Sequence, residues 1–143
     1  MAPSHSLSKS LASVRRRSGG WSALAAVAAG GVIGSAARTG IGLRFPTQDG
    51  GFPTGVLLVN LVGSFLLGFY LARRERAITR RRSLEFWAIG VLGSFTTFST
   101  FSLEVFGLLA SGHALMAVSY VAASTIGGLA AALVGQGIGA ASR

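Results

Sequence analysis

The sequence contains no cysteine, which excludes disulfides and thiolate metal ligation. Its two histidines, His5 and His113, lie outside the apolar runs and form no cluster. Acidic side chains are scarce: four among 143 residues, with only 12% of the chain charged. A soluble domain carries about a quarter charged residues. These shortages remove the usual means of acid–base, nucleophilic and metal-assisted catalysis, and no enzyme constellation is left.

What is there in quantity is apolar: half of the residues are hydrophobic, and the net charge is +9. A positive balance of that size invites a nucleic-acid reading. The basic residues, however, cluster at the ends of apolar runs rather than on a polar face. That placement suits side chains that stop helices at a membrane surface. Residues 1–20 are rich in Ser, Arg and Lys and end in Gly19-Gly20. They read as a disordered basic extension ahead of a single membrane domain spanning 21–143. Lys9 and Arg15-Arg16-Arg17 before the run from Trp21 to Ala37 imitate a signal peptide. The run continues past Arg38, though, and three more follow it.

A transmembrane helix needs about 20 mostly apolar residues. Four stretches qualify: Trp21 to Leu43, Thr54 to Ala72, Leu84 to Ala110 and Ala114 to Ile138, with Arg38 interrupting the first. The fold class is therefore all-α integral membrane. The first connection, Arg44 to Pro53, holds two prolines and Gly50-Gly51. The second carries Arg73, Arg74, Arg76, Arg80, Arg81 and Arg82; the third is a tight turn around Ser111-Gly112-His113. With four spans, both termini and the second connection share one side. That side holds eleven basic residues, namely the six above with Lys9, Arg15, Arg16, Arg17 and Arg143; the other holds two, Arg38 and Arg44. Such a bias predicts cytoplasmic termini.

Small residues recur four apart at Gly30 and Gly34, at Ser64 and Gly68, and at Gly127, Ala131 and Gly135. This spacing lets helix backbones approach closely. It predicts tight packing and is silent on what the protein transports.

Asn60 falls in the middle of the second span, where an amide is costly unless it is paired or faces water. Interhelical bonding alone accounts for such a residue. Gly63 and Ser64 share its helix face, so that face is small and polar. The third span reads Gly93-Ser94-Phe95-Thr96-Thr97-Phe98-Ser99-Thr100-Phe101-Ser102-Leu103-Glu104. Gly93-Ser94 followed by Thr96-Thr97 makes a poor helix interior. A break there frees carbonyls at mid-membrane, where they can coordinate a cation. Phe98 and Phe101 lie on one face, and their positive ring edges suit a small anion beside a narrow path. Lipid contact or core packing explains such a pair equally simply. Glu104 is read as the only acid within a span, at a pore mouth or paired with an arginine. Tyr120 and Ser124 share a face of the fourth span, and Gly128 follows them. Hydroxyls there either donate to an ion or bond the i−4 carbonyl. The path so lined is polar, with no acid at its centre, and favours an anion or a neutral solute.

Three segments together resemble a known family. Gly30-Gly31-Val32-Ile33-Gly34 with Arg38 resembles the first-helix signature of the CrcB/Fluc fluoride channels. Val59-Asn60, Gly63-Ser64-Phe65 and Gly68 resemble the second, and Thr96-Thr97-Phe98-Ser99-Thr100-Phe101 the third. The resemblance implies a dimer of antiparallel subunits in a bacterial plasma membrane, with two passive fluoride paths. It implies that Asn60 donates amide hydrogens to fluoride and that Phe98 and Phe101 coordinate it through ring edges. Ser64, Tyr120 and Ser124 then belong to the polar pathway. A structural sodium ion on the two-fold axis is implied, held by the carbonyls of Gly93 and Thr96 from both subunits. Arg38 and Glu104 are left as pore-mouth or structural residues.

Two departures from the family pattern remove hydroxyls: Val56 stands where threonine is common, and Gly128 where Ser or Thr is common. The charge bias adds a second expectation. Family members that insert in both directions carry little bias, whereas this chain is strongly biased. It is expected to pair with a distinct chain of opposite orientation, a homodimer being the alternative. Two rivals are a small multidrug cation exporter, which needs an acid deep in its first span, and a membrane subunit that transports nothing.

Overall fold

The computed structural model describes residues 20–47, 50–75 and 81–141. The basic extension up to residue 19, Arg76, Arg80 and Arg143 lie outside the described residues; Gly20, counted above with the extension, already belongs to the first helix. The described chain is helical. Helix α1 is Gly20–Arg44 and α2 is Thr54–Glu75. The third segment begins at Arg81–Ser83, continues as a π-helix over Leu84–Leu92 and ends with one α-turn, Gly93–Phe95; these three pieces are α3 here. Then follow α4, Phe98–Ala110, and α5, Ala114–Ala141. Four segments are long and apolar enough to cross a bilayer, with mean hydropathies of 1.4, 2.0, 1.3 and 1.7 in chain order. The protein is a multi-pass membrane protein. Arg38 does not interrupt its helix: α1 runs through it to Arg44.

Packing follows the small residues. α2 lies mainly on α5, and α1 mainly on α3. Gly30 and Gly34 are the buried residues of α1. A Cβ on Gly30 would run into the Phe86 carbonyl, and one on Gly34 into the Val91 carbonyl. On the other seam, a Cβ on Gly68 would meet the Ala132 carbonyl, and one on Gly135 the Phe65 carbonyl. Helices this close gain van der Waals contact along their whole length, which is what holds helices together when lipid is as apolar as leucine. The buried hydrophobic core is correspondingly small: Val59, Ala72, Leu92, Phe95, Leu108, Ala117 and Tyr120. Large apolar side chains such as Val32, Phe106, Leu115, Ile126 and Leu129 face outward instead. An inside-out distribution of this kind matches an apolar solvent.

One expectation needs correction. Glu104 is not the sole acid within a span, because Glu85 lies in the π-helical part of α3 and is buried. The turn between α4 and α5 falls at Ser111–His113 as its composition requires: Gly112 has φ +80°, and the amide of His113 bonds the Leu108 carbonyl at 2.8 Å. Gly50 also has positive φ, +70°, and carries the imidazole of His113 against its α-carbon.

Candidate functional site

Helical backbone stops at Phe95 and resumes at Phe98. Between them Thr96 (φ −76°, ψ 157°) and Thr97 (φ −148°, ψ 126°) are extended. The interruption is at the two threonines and not at Gly93-Ser94, which remain helical. A β-branched residue followed by an N-cap residue explains the position. Thr97 Oγ1 accepts from the amide of Thr100 at 3.2 Å, which satisfies an orphan donor at the start of α4. The same hydroxyl donates to Thr100 Oγ1 at 3.1 Å.

Asn60, from the middle of α2, meets this interruption directly. Its Nδ2 donates to the Thr97 carbonyl at 3.0 Å, and its Oδ1 accepts from the Thr97 amide at 2.9 Å. The side-chain amide is thus paired with both backbone groups of one residue, as a residue in an adjoining strand would be. Gly63, one turn on, permits the approach, since a Cβ there would overlap the methyl of Thr96. Thr97 itself is 7% exposed.

Two helical carbonyls lose their donors as a result. The amide of Thr97, which would bond Gly93 O in a continuous helix, goes to Asn60. The amide of Thr100, which would bond Thr96 O, goes to the Thr97 hydroxyl. Freed carbonyls of this kind are oxygen ligands for a hard cation.

Asn60, Ser64, Thr96, Thr97 and Phe98 line a cavity of about 330 Å³ between α2 and the interruption. Phe98 is 79% exposed, so its ring stands at the edge of the described surface. Its centroid is 5.8 Å from that of Phe101. Phe101 does not line this cavity but leans on Tyr120, with centroids 5.1 Å apart. Tyr120 is fully buried and meets Phe52 edge-on from its other side.

A second polar group forms around Glu104. Tyr120 donates to its Oε2 at 2.7 Å, and Thr47 donates to its Oε1 at 3.3 Å. Among the described residues no arginine pairs with Glu104; its partners there are hydroxyls. A cavity of about 160 Å³ adjoins it, lined by Thr47, Gly50, Gly51 and Ser111 among others. The Tyr120 hydroxyl is therefore engaged by protein, and the buried Ser124 hydroxyl meets no hydrogen-bond geometry among the described residues. It does not bond the i−4 carbonyl. Arg38 lines a third cavity of about 290 Å³ with Val56, Thr97 and Thr100.

Of the residues expected from sequence, Asn60, Ser64, Gly93, Thr96 and Phe98 come together at one cavity. Phe101, Glu104 and Tyr120 form a neighbouring cluster. Thr97, Thr100 and Thr47 were not singled out. The Thr97-x-x-Thr100 spacing before an apolar run signals an N-cap, but the partnership with Asn60 spans 37 positions and has no local signal.

Comparison with known proteins places this geometry. A model of the family described as CrcB-like protein, Camphor Resistance (CrcB), matches residues 25–136. The fluoride-specific ion channel FluC of Deinococcus radiodurans is 43% identical over 116 residues, covering 80% of this chain and 92% of that protein. The channel of the same name from Chloroflexus aurantiacus is 40% identical over 119 residues, with the same coverage of 80% and 92%. Fluoride-specific ion channel FluC 3 of Streptomyces avermitilis is 45% identical over 117 residues; the match covers 81% of this chain but 57% of that longer protein. The matched region takes in most of the first and last spans and all of the two between them, including the interrupted third segment, and the chain belongs to the CrcB family of membrane proteins.

Proposed function

We propose that this chain is a subunit of a passive fluoride channel through which cytoplasmic fluoride leaves a bacterial cell. The family is one of channels and not of enzymes. The observation that carries the reading is the cavity beside the Thr96–Thr97 interruption. There an amide N–H, a hydroxyl and an aromatic ring converge with no carboxylate among the lining residues. Fluoride is small and strongly hydrated, so a narrow path must replace its water with donors. Asn60 Nδ2 has two hydrogens, of which one is used on Thr97. The other is available to an anion. Ser64 adds a hydroxyl, and ring edges of Phe98 and Phe101 add positive rims.

The antiparallel dimer belongs to this proposal, with Phe98 left outward on one subunit to meet the other. So does the structural sodium. The carbonyls of Gly93 and Thr96 fit that ion chemically, since both have lost their helical donors. When bound, the ion would neutralise partial charge at the interruption and tie two subunits together. Arg38, which no carboxylate pairs with among the described residues, would attract anions toward the path from the outer side. Ser124 would extend the hydroxyl track, its buried oxygen making no hydrogen bond among the described residues.

The driving force needs no ATP and no coupled proton. Hydrogen fluoride enters uncharged and ionises in a near-neutral cytoplasm. An inside-negative potential then expels the anion by about 2.3 kcal/mol per 100 mV. The strong bias of basic residues toward the side of the termini supports cytoplasmic termini and a partner chain of opposite orientation. The multidrug-exporter reading lacks its required acid: α1 contains none.

The test is fluoride efflux from liposomes, read with a fluoride electrode, for this chain alone and with a family member of opposite charge bias. Efflux is expected from the pair, with little from the single chain. Robust efflux from the single chain removes the need for a distinct partner. If neither preparation leaks fluoride, the channel reading fails. Replacement of Asn60, Phe98 and Phe101 by aliphatic residues should abolish flux; undiminished flux would remove these residues from the pathway.

A further inference from the structure

We infer that Asn60 is a positioning residue whose side-chain amide takes the place of a missing peptide partner and holds the third segment interrupted at Thr97. The inference deepens the channel reading and rests on it for its functional consequence, though not for its structural part.

An amide inside a bilayer must find an acceptor. The Thr97 amide has two candidates: the Gly93 carbonyl, which would close the helix, and Asn60 Oδ1. The structure places it on Asn60 at 2.9 Å. The return bond from Nδ2 to the Thr97 carbonyl engages the other end of the same peptide residue, at 3.0 Å. Two bonds to one residue fix its orientation as well as its distance. Gly63 brings α2 close enough for these two bonds.

Three things depend on Thr97 staying extended. Its hydroxyl caps α4 at Thr100 and so sets where that helix, and the ring of Phe98 at its first position, begins. Its amide, drawn to Asn60, leaves the Gly93 carbonyl without a helical donor. Thr97 lines both the Asn60 cavity and the Arg38 cavity, so it forms part of the wall they share. Asn60 therefore acts on ring, carbonyl and wall through one residue. A residue that served only as an anion donor would have no use for its oxygen, yet here the oxygen is engaged.

The experiment measures amide exchange at Thr97 in the full chain, in lipid nanodiscs without fluoride, with mid-helix amides of α5 as an internal standard. In Asn60→Leu, the Thr97 amide should exchange about tenfold faster than in the native chain, the size of one net hydrogen bond, while the α5 standards are unchanged. Asn60→Asp, read at a pH low enough to keep its carboxyl protonated, keeps an oxygen where Oδ1 stands and an O–H where Nδ2 donates. It should hold Thr97 protection within about twofold of native and provides a readout if the leucine variant does not fold. Unchanged Thr97 exchange in Asn60→Leu overturns the inference. So does acceleration of all amides alike, which marks general interhelical glue, or loss of Thr97 protection in Asn60→Asp. Because exchange is read without fluoride, a native chain that carries no fluoride refutes the channel reading and leaves the exchange result standing on its own.

Discussion

Removing the hydroxyl of Tyr120 tests how the α4–α5 contact is held. The Tyr120 ring is fully buried between Phe52 and Phe101, with centroids at 5.6 Å and 5.1 Å. Tyr120→Phe keeps that packing and deletes only the 2.7 Å bond to Glu104. Hydrogen bonds to charged groups contribute about 1.5–3 kcal/mol. Polar contacts between helices in a bilayer average about 0.6 and reach about 1.7 kcal/mol. Glu104 keeps the Thr47 hydroxyl and adjoins a cavity of about 160 Å³. Water can enter such a space, so the carboxyl is not stranded. The cost should therefore settle at about 1.5 kcal/mol, where the two ranges meet. Tyr120→Ala removes the ring as well and should cost about 3–5 kcal/mol. The assay is reversible unfolding in mixed micelles followed by circular dichroism, as a double-mutant cycle with Glu104→Ala. Coupling of about 1–2 kcal/mol between the two positions is expected. Coupling below about 0.3 kcal/mol, within the scatter of independent sites, would refute the reasoning, as would Tyr120→Phe proving as harmful as Tyr120→Ala. Flux should separate the two variants in the same way. Phe101 keeps its support in the first and loses it in the second.

Other expected outcomes follow from close packing and from charge. Gly68→Val places a methyl against the Ala132 carbonyl and should destabilise the protein by about 1–3 kcal/mol; unfolding in the same micelles reads it, and a neutral result would mean the α2–α5 seam is looser than described. Gly128→Ser should be tolerated within about 0.5 kcal/mol, since its Cβ would sit at an ordinary 3.6 Å from Ser64 Oγ. The added hydroxyl should raise fluoride flux in liposomes, and lower flux would show that this position is not on the path. A cysteine-free chain allows single-site labelling. Ser111→Cys, in the exposed α4–α5 turn, should react with an impermeant maleimide from outside intact cells, and Lys9→Cys only after permeabilisation; the reverse pattern would overturn the assigned orientation.

Charge pattern and hydropathy by themselves determined a great deal. Four apolar runs separated by arginines, prolines and glycines mark four spans, because charge and unpaired backbone are both expensive in hydrocarbon. Gly30, Gly34, Gly68 and Gly135 were readable as contact points, because only small residues let backbones touch. The poor helical character of the stretch from Gly93 to Thr97 was also legible. Its consequence was not, since glycine and serine stay helical and the extended residues are the two threonines. The π-helix over Leu84–Leu92 left no mark in composition either. Tertiary structure alone decided which acceptor each freed donor would take. The Thr97 amide could close the helix onto Gly93, four residues away, or reach Asn60, 37 residues away, and local preference cannot rank those bonds. Likewise Glu104 found Tyr120 and Thr47 rather than an arginine, because the folded contact between α4, α5 and the first connection sets who lies within reach. Sequence specifies which groups must be satisfied in a medium without water; the packing of the helices specifies by whom.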